Sequence, residues 1–456
     1  MSRFAVVGGG ISGLTAAYEL EKLGADVVLF EAGSRLGGAL QTVELDGCLL
    51  ECGPDSLLRT KPSAIRLAEE LGIELIPCSA KGSPGVVHRG SIQPLPDGFR
   101  LLAPTKLLPF VKTPLLTPMG KARAGMEWLI PATKREGDES VESFVVRRFG
   151  REVLEALAQP LIGGIYAADP ARLSVLATLP TFRQLEQEQG SVTAGLLGQI
   201  KKFGKSKKGL FVTPRLGMGS LVDALSSRVA QVRKQCEVDS VRPLSGRWEL
   251  AIGGKAELFE GVILACSARH LPALTAFDTE LSRSLGQIPT TTTVTLNLVF
   301  RRNQIGAPLT GSGFVVPHRE GLKLTACTFS HLKYEGRAPR DKALLRCHFG
   351  NALEQEVVSR SEEALFESAM SELRPLLGIE GDPTAHLLVR HKDVLPQYRV
   401  GHLKLVERLE EQLLRYKGLA LAGNALNGVG ISACIEQAKR VVRELATAVP
   451  ICCPTR

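Results

Sequence analysis

A chain of 456 residues with 44% apolar and 23% charged content is long enough for two or three buried cores and too apolar to be disordered. Its net charge of +9 admits an acidic substrate or an anionic membrane surface, but aromatic residues are only 5% of the chain, which argues against nucleic acid. Ten cysteines without a CxxC pair and eight histidines without metal-ligand spacing predict reduced thiols and no metal.

Met1-Ser-Arg leads straight into an apolar run, which predicts no secretion signal, and no window approaches the roughly twenty apolar residues of a membrane span. The expected location is the cytoplasm, with the cytoplasmic membrane face as a peripheral alternative. Phe4 to Val7 reads as a buried parallel strand, and Gly8-Gly9-Gly10-Ile11-Ser12-Gly13 lets the chain turn tightly while its backbone approaches a pyrophosphate. A helix starting near Ser12 would aim free N–H groups and its positive dipole end at the phosphates. Glu31, closing a second strand from Asp26 to Phe30, is placed to accept hydrogen bonds from ribose hydroxyls. Arg35 can pair with the pyrophosphate, and Gly37-Gly38 would let the backbone pass beneath the cofactor. This ExxxRxGG pattern resembles the FAD signature of the superfamily of amine oxidases, carotenoid desaturases and porphyrinogen oxidases.

The stretch 99–116 mixes leucine pairs, prolines and spaced lysines, which suits either short amphipathic helices at a membrane interface or a buried substrate-domain segment. Helical periodicity covers Glu139 to Ala158 and Ser361 to Leu377, and the lysine-rich run 201–208 reads as a solvated, mobile loop. Strands are expected around Trp248 to Ile252, from Leu258 to Cys266, and from Thr293 to Phe300, where period-two alternation marks a half-buried sheet strand. Further on, Leu419 to Ala422, Gly423-Asn424 and Gly428-Val429-Gly430-Ile431 read as a strand and glycine turn opening a last helix, about Ser432 to Ala446. Its N-terminus would face the flavin pyrimidine edge. Gly217-Met-Gly219 lacks the leading strand and spacing of a second nucleotide site. No NAD(P)H is therefore expected, and electrons would pass from an organic substrate to dioxygen or a quinone.

Segments spread over nearly the whole chain resemble the oxygen-dependent protoporphyrinogen oxidase family, which includes the coproporphyrinogen III oxidases of Gram-positive bacteria. They are Gly53-Pro54-Asp55-Ser56, Gly120 to Gly125 (GKARAG), Glu139 to Phe144 with Arg148-Phe-Gly, Pro160 to Pro170 (PLIGGIYAADP), Pro396 to His402 (PQYRVGH), and Gly423 to Glu436. The resemblance implies an α/β and α+β architecture with three interleaved parts. A Rossmann-like FAD-binding domain would take 1–82, 210–270 and 402–456, a mixed-sheet substrate-binding domain 83–97 and 271–401, and a helical, membrane-contacting domain 98–209. FAD contacts are implied at Gly8 to Gly13, Glu31, Ala32, Arg35, Gly37, Gly38, Ala39, Gly53, Pro54, Asp55, Ser56, Val238, His391, Gly423, Asn424, Val429, Gly430 and Ile431.

By the same resemblance, Gly164, Tyr166, Val315 and Tyr334 would line the substrate cavity, with Lys61 and Arg59 as candidates for charge against propionates. The implied reaction is oxidation of a porphyrinogen to a porphyrin of haem biosynthesis, protoporphyrinogen IX or coproporphyrinogen III, with dioxygen reduced to hydrogen peroxide. A homodimer and a hand-off of product to ferrochelatase are also implied. Ala168 and His391 depart from the family pattern, which has a glycine and a tryptophan there, and no catalytic acid or base stands out. Two other readings remain: a flavin amine oxidase or carotenoid desaturase-like enzyme, and a non-catalytic escort that keeps the glycine loop without the flavin.

Overall fold

The computed structural model describes residues 2–133, 137–203 and 209–451. Its first sheet is parallel and five-stranded, in the order Gln231–Arg233, Asp26–Phe30 (β2), Arg3–Val7 (β1), Gly261–Leu264, Leu419–Leu421. β1 is the central strand, running from Arg3 beside Asp26 to Val7 beside Phe30 on one edge, and from Phe4 beside Gly261 to Val7 beside Leu264 on the other. Both faces of such a strand are covered, which is why its sequence is an unbroken apolar run. Helices α1 (Ile11–Lys22), Ser63–Glu70, Gly219–Ser226 and Ile431–Ala448 pack on one face. On the other lie an antiparallel meander, Ser240–Leu244, Arg247–Ile252 and Lys255–Phe259, and the helices Leu271–Leu274, Thr279–Leu285 and His402–Leu413.

The strand expected from Leu258 to Cys266 divides at Glu260. Lys255–Phe259 closes the meander, and Gly261–Leu264 enters the parallel sheet. Glu260 marks the joint, since its N–H donates to the Arg3 carbonyl at 2.8 Å and its carboxylate accepts from the Arg3 N–H at 2.7 Å.

A second, mixed sheet has seven strands in the order Ala385–Pro396, Thr290–Arg301, Lys342–Phe349, Leu324–Phe329, Gly313–Val315, Gly85–His88, Ser91–Pro94. All neighbours are antiparallel except Gly313–Val315 and Gly85–His88. Its apolar face carries Val294, Leu296, Leu298, Cys327, Leu345 and Cys347 and buries them under helix Glu362–Leu377. That helix matches its expected span: Ser361 accepts the Ala364 N–H at its start, and Gly378 ends it in the left-handed region at φ +60°.

The third part is helical, from Leu107 to Phe203. The pattern expected from Glu139 to Ala158 breaks at Gly150, where φ is +94°, and the helix that resumes runs on to Tyr166 with a π-turn over Leu154–Ala158. Pro160 has no N–H for the carbonyl four residues back, which disturbs the regular ladder at this point. The interior of this part is ionic as well as apolar: Arg148 and Glu127 are fully buried against each other, and Glu186 takes Arg147 and Arg183. Its outer surface exposes Leu107, Leu108, Val111, Met119, Met126, Trp128 and Leu129, interspersed with Lys106, Lys112 and Lys121. Of the basic run 201–208, residues 204–208 lie outside the described residues. No described helix is long and apolar enough to cross a membrane.

Candidate functional site

The loop between β1 and α1 has two positions, Gly8 and Gly13, whose close backbone contacts only glycine allows. Gly8 has φ +108°, and a methyl there would lie 2.8 Å from the Ala265 carbonyl oxygen; one on Gly13 would lie 1.8 Å from the Gly8 oxygen. Gly10 caps α1 with no side-chain hydrogen bond, and a methyl on it would meet nothing within 4 Å, so the helix N-terminus opens onto free space. Ile11 and Ser12 in its first turn are buried, and Ser12 lies beside the Cys434 thiol. Burial pushes that thiol up to about 11, so Cys434 is a packed core group.

Glu31 stands at the end of β2 with one carboxylate oxygen accepting the Gly9 N–H and the other the Gly33 N–H, both at 2.7 Å. Arg35 is exposed and donates to the carbonyls of Gly38, at 2.7 Å, and Leu36. Gly37, at φ +100°, donates its N–H to Gly9, and Gly38 passes close enough to Gly10 that a methyl would sit 3.4 Å from its Cα. Ala32 is exposed and Ala39 half-buried beside this crossing; Val238 is buried near the end of β2, where the Cys236 N–H donates to the Glu31 carbonyl.

The second glycine turn comes up beside the first. A methyl on Gly423 would lie 4.0 Å from the Ser12 hydroxyl oxygen, and the Gly423 N–H donates to Gln437. Val429 is half-buried and Gly430 exposed, and Gly430 caps Ile431–Ala448 with no side-chain hydrogen bond. Two uncapped helix N-termini therefore open side by side, with the Glu31 carboxylate next to the first of them, on the Gly9 N–H. This arrangement fits the pyrophosphate and ribose of a dinucleotide such as FAD.

The segment 396–402 straps this turn to the helical part. Gln397 donates to the Tyr166 carbonyl at 3.0 Å, Tyr398 to the Asn424 carbonyl at 2.5 Å, and His402 to the Leu426 carbonyl at 2.8 Å, while the Tyr398 and His402 rings stack at 4.2 Å. Asn424 donates in turn to Val394.

At Gly53 a methyl would strike the Ala39 carbonyl at 2.0 Å, and this tight approach delivers the turn Gly53-Pro54-Asp55-Ser56 to the polar face of the seven-stranded sheet. Pro54 is exposed, and Asp55 is buried between Lys333, 2.9 Å from both its oxygens, and Arg346 at 3.3 Å. Burial alone would raise its carboxyl, but Arg346 and Lys333, with the Ser56 hydrogen bond, hold it well below the usual carboxylate range. Arg346 also donates to the Gly53 carbonyl, and His391, whose imidazole burial lowers, donates to the Cys52 carbonyl at 2.7 Å. Tyr334 is buried with its hydroxyl 2.7 Å from that of Ser56, tying it to this turn.

The other expected substrate residues are more dispersed. Gly164 is exposed, Tyr166 donates to the Thr178 carbonyl at 2.9 Å, and burial pushes its phenol up to about 12. Tyr166 and Val315 both pack on the helical cluster. The Lys61 side chain is exposed, its carbonyl accepting from Ser432; Arg59 holds a buried Nε that has no hydrogen-bond partner among the described residues. Lys333, Arg346 and His348 were not among the expected site residues. For Arg346 and His348 the sequence signal is the alternation of Thr293 to Phe300, which sets Asn297 and Thr295 opposite them; Lys333, in the short helix Ser330–Lys333, has no such signal. Among the described residues no cluster of histidine, cysteine or carboxylate side chains could hold a metal ion.

Residues 11–446 match the family described as flavin containing amine oxidoreductase. The chain is 33% identical to the coproporphyrinogen III oxidase of Bacillus subtilis (strain 168), with 97% of each chain covered. It is 31% identical to the coproporphyrinogen III oxidase of Staphylococcus aureus (strain NCTC 8325 / PS 47), covering 97% of this chain and 98% of that one. The solved structure of a protein from Exiguobacterium sp. 255-15 is similar at a TM-score of 0.88 and 31% identity, over 98% of this chain and 99% of that one.

Proposed function

The chain belongs to the flavin-containing amine oxidoreductases, and within that family, on its full-length likeness to coproporphyrinogen III oxidases, we propose that its preferred substrate is coproporphyrinogen III, with dioxygen as the final acceptor. It is an FAD-dependent porphyrinogen oxidase of haem biosynthesis. FAD, when bound, supplies the hydride acceptor. The chain's part is to hold, orient and enclose. The expected contacts from Gly8 to Ile431 are read as the FAD site. The uncapped α1 N-terminus would face the pyrophosphate and Glu31 the ribose, while the N-terminus at Ile431 would favour negative charge at the pyrimidine edge. Gln397, Tyr398 and His402 keep that second turn in register with Tyr166, on the side assigned to substrate. Lys61 and Arg59 are read as propionate partners.

The three-part division expected from the sequence is retained as a proposal, with residues 271–288 packing on the parallel sheet. We also assign the exposed apolar and lysine-bearing surface at 106–129 to peripheral contact with an anionic membrane face. A homodimer and product hand-off to ferrochelatase are extensions of the same reading. An amine oxidase is less well supported, because Tyr398 stacks on His402 and the turn beside it offers Ala425, Leu426 and Asn427. The intact Glu31 and open glycine turns disfavour a flavin-free escort.

The observation that carries the substrate is the match to coproporphyrinogen III oxidases over nearly all of both chains. The test is porphyrin fluorescence growth in air with coproporphyrinogen III and protoporphyrinogen IX given separately to flavin-loaded protein. Faster growth with coproporphyrinogen III is expected. A protein that keeps its flavin and oxidises neither would refute the reading. Sedimentation with phosphatidylglycerol vesicles tests the surface, and Leu108→Glu should abolish it.

A further inference from the structure

The polar face of the seven-stranded sheet carries a group, His348, that the FAD site does not use. Arg346 and His348 alternate onto this face from Lys342–Phe349, opposite Asn297 and Thr295 on one neighbouring strand, and Thr328 and Ala326 on the other. Arg346 reaches the Gly53 carbonyl and Asp55, so one end of this face abuts the turn assigned to the flavin. A few residues along the same chain, the Ala352 N–H donates to the Ala167 carbonyl, so the other end abuts the element that bears Gly164 and Tyr166. His348 lies between the two.

Its hydrogen bonding is one-sided. Arg346 Nε donates to His348 Nε2 at 3.4 Å, so the imidazole proton sits on Nδ1, and Nδ1 has no hydrogen-bond partner among the described residues. Burial, and then the charge of Arg346, lowers the imidazole to about 3, which keeps it neutral and a donor through Nδ1. Behind it, Lys333 and Arg346 together face the single carboxylate of Asp55, leaving the cluster one positive charge in excess. A half-buried N–H donor backed by excess positive charge suits a carboxylate.

We propose that His348 Nδ1, supported by Arg346, forms a carboxylate subsite on this polar face, between the turn at Gly53 and the element that bears Tyr166. It receives a propionate that coproporphyrinogen III carries where protoporphyrinogen IX carries a vinyl group. This subsite rests on the porphyrinogen oxidase reading and deepens it by assigning the choice between the two porphyrinogens to one side chain. A vinyl group would leave the N–H unpaired, and a charge-assisted hydrogen bond is worth about a tenfold preference.

The experiment compares KM and kcat for both porphyrinogens in wild type, His348→Phe and His348→Gln, with flavin content and melting temperature as checks on folding. His348→Phe should raise KM for coproporphyrinogen III about tenfold, with kcat nearly constant and a much smaller change for protoporphyrinogen IX. His348→Gln keeps an N–H donor and should recover most of the loss. Equal effects on both substrates, or none, would overturn the subsite while leaving the function standing. Wild type inactive on both porphyrinogens would remove the function and the subsite together. If neither variant folds, quenching of coproporphyrin III and protoporphyrin IX fluorescence by the wild type decides: about tenfold tighter binding of coproporphyrin supports the subsite, and equal binding rejects it.

Discussion

Around Gly8–Gly13 and Gly423–Ile431 the backbone itself is the candidate binding surface, with glycines at contact distance and helix ends left uncapped, whereas around Asp55 the surface is made of side chains from four separate stretches, 55–56, 333–334, 346–348 and 391. The first design tolerates no added atom at Gly8 or Gly13. The second tolerates atoms but not a change of charge. Each therefore fails in its own way, and substitutions can tell the two apart.

The largest effect is expected on the side-chain surface. Asp55→Asn leaves Lys333 and Arg346 facing each other without their carboxylate and should cost about 3–5 kcal/mol of stability, read as a fall in melting temperature at neutral pH. Because the folded carboxyl titrates below its unfolded value of about 3.9, the contribution is complete above that pH and fades as pH falls through the lower folded value. The wild-type advantage over Asp55→Asn should accordingly shrink on acidification; an advantage that grew instead would contradict the charge arrangement. Next comes Gly13→Ala, whose methyl would collide with the Gly8 oxygen at a cost of about 3 kcal/mol, emptying the site of FAD as judged by visible flavin absorbance. Glu31→Gln turns an NH2 toward one of two backbone donors, so FAD binding should weaken by about 2 kcal/mol, roughly 30-fold, in a fluorescence titration. Tyr398→Phe forfeits one neutral hydrogen bond to Asn424, worth about 1 kcal/mol, and should leave the protein yellow but slightly less stable.

The contrast also explains which features are legible in the sequence alone. A backbone-built surface writes itself into the sequence as glycines at fixed spacing, so β1, the turn, α1, β2 and the last helix are legible from Phe4, Gly8 to Gly13, Glu31 and Gly428 to Ile431. A side-chain surface leaves no such spacing. Asp55 carries no sign of Lys333 or Arg346, which lie nearly 300 residues on and arrive only through the pairing of Leu324–Phe329 with Lys342–Phe349. The break at Gly150 and the π-turn before Pro160 were hidden for a related reason. Helical periodicity survives a local change of pitch, and only the hydrogen-bond ladder reveals it.

The order of the parallel sheet carries one more consequence, for the life of the chain before it is an enzyme. Its neighbours to β1 come from positions 26–30 and 261–264, and the next strand from 419–421, so the crevice cannot close while synthesis is still in the middle of the molecule. The glycine loop leaves the ribosome well before Ile431–Ala448, which settles beside α1. Flavin capture then waits until Leu419–Leu421 and Ile431–Ala448 have been made, and a message cut short before the codon for Leu419 would yield a colourless protein however perfect its glycine loop.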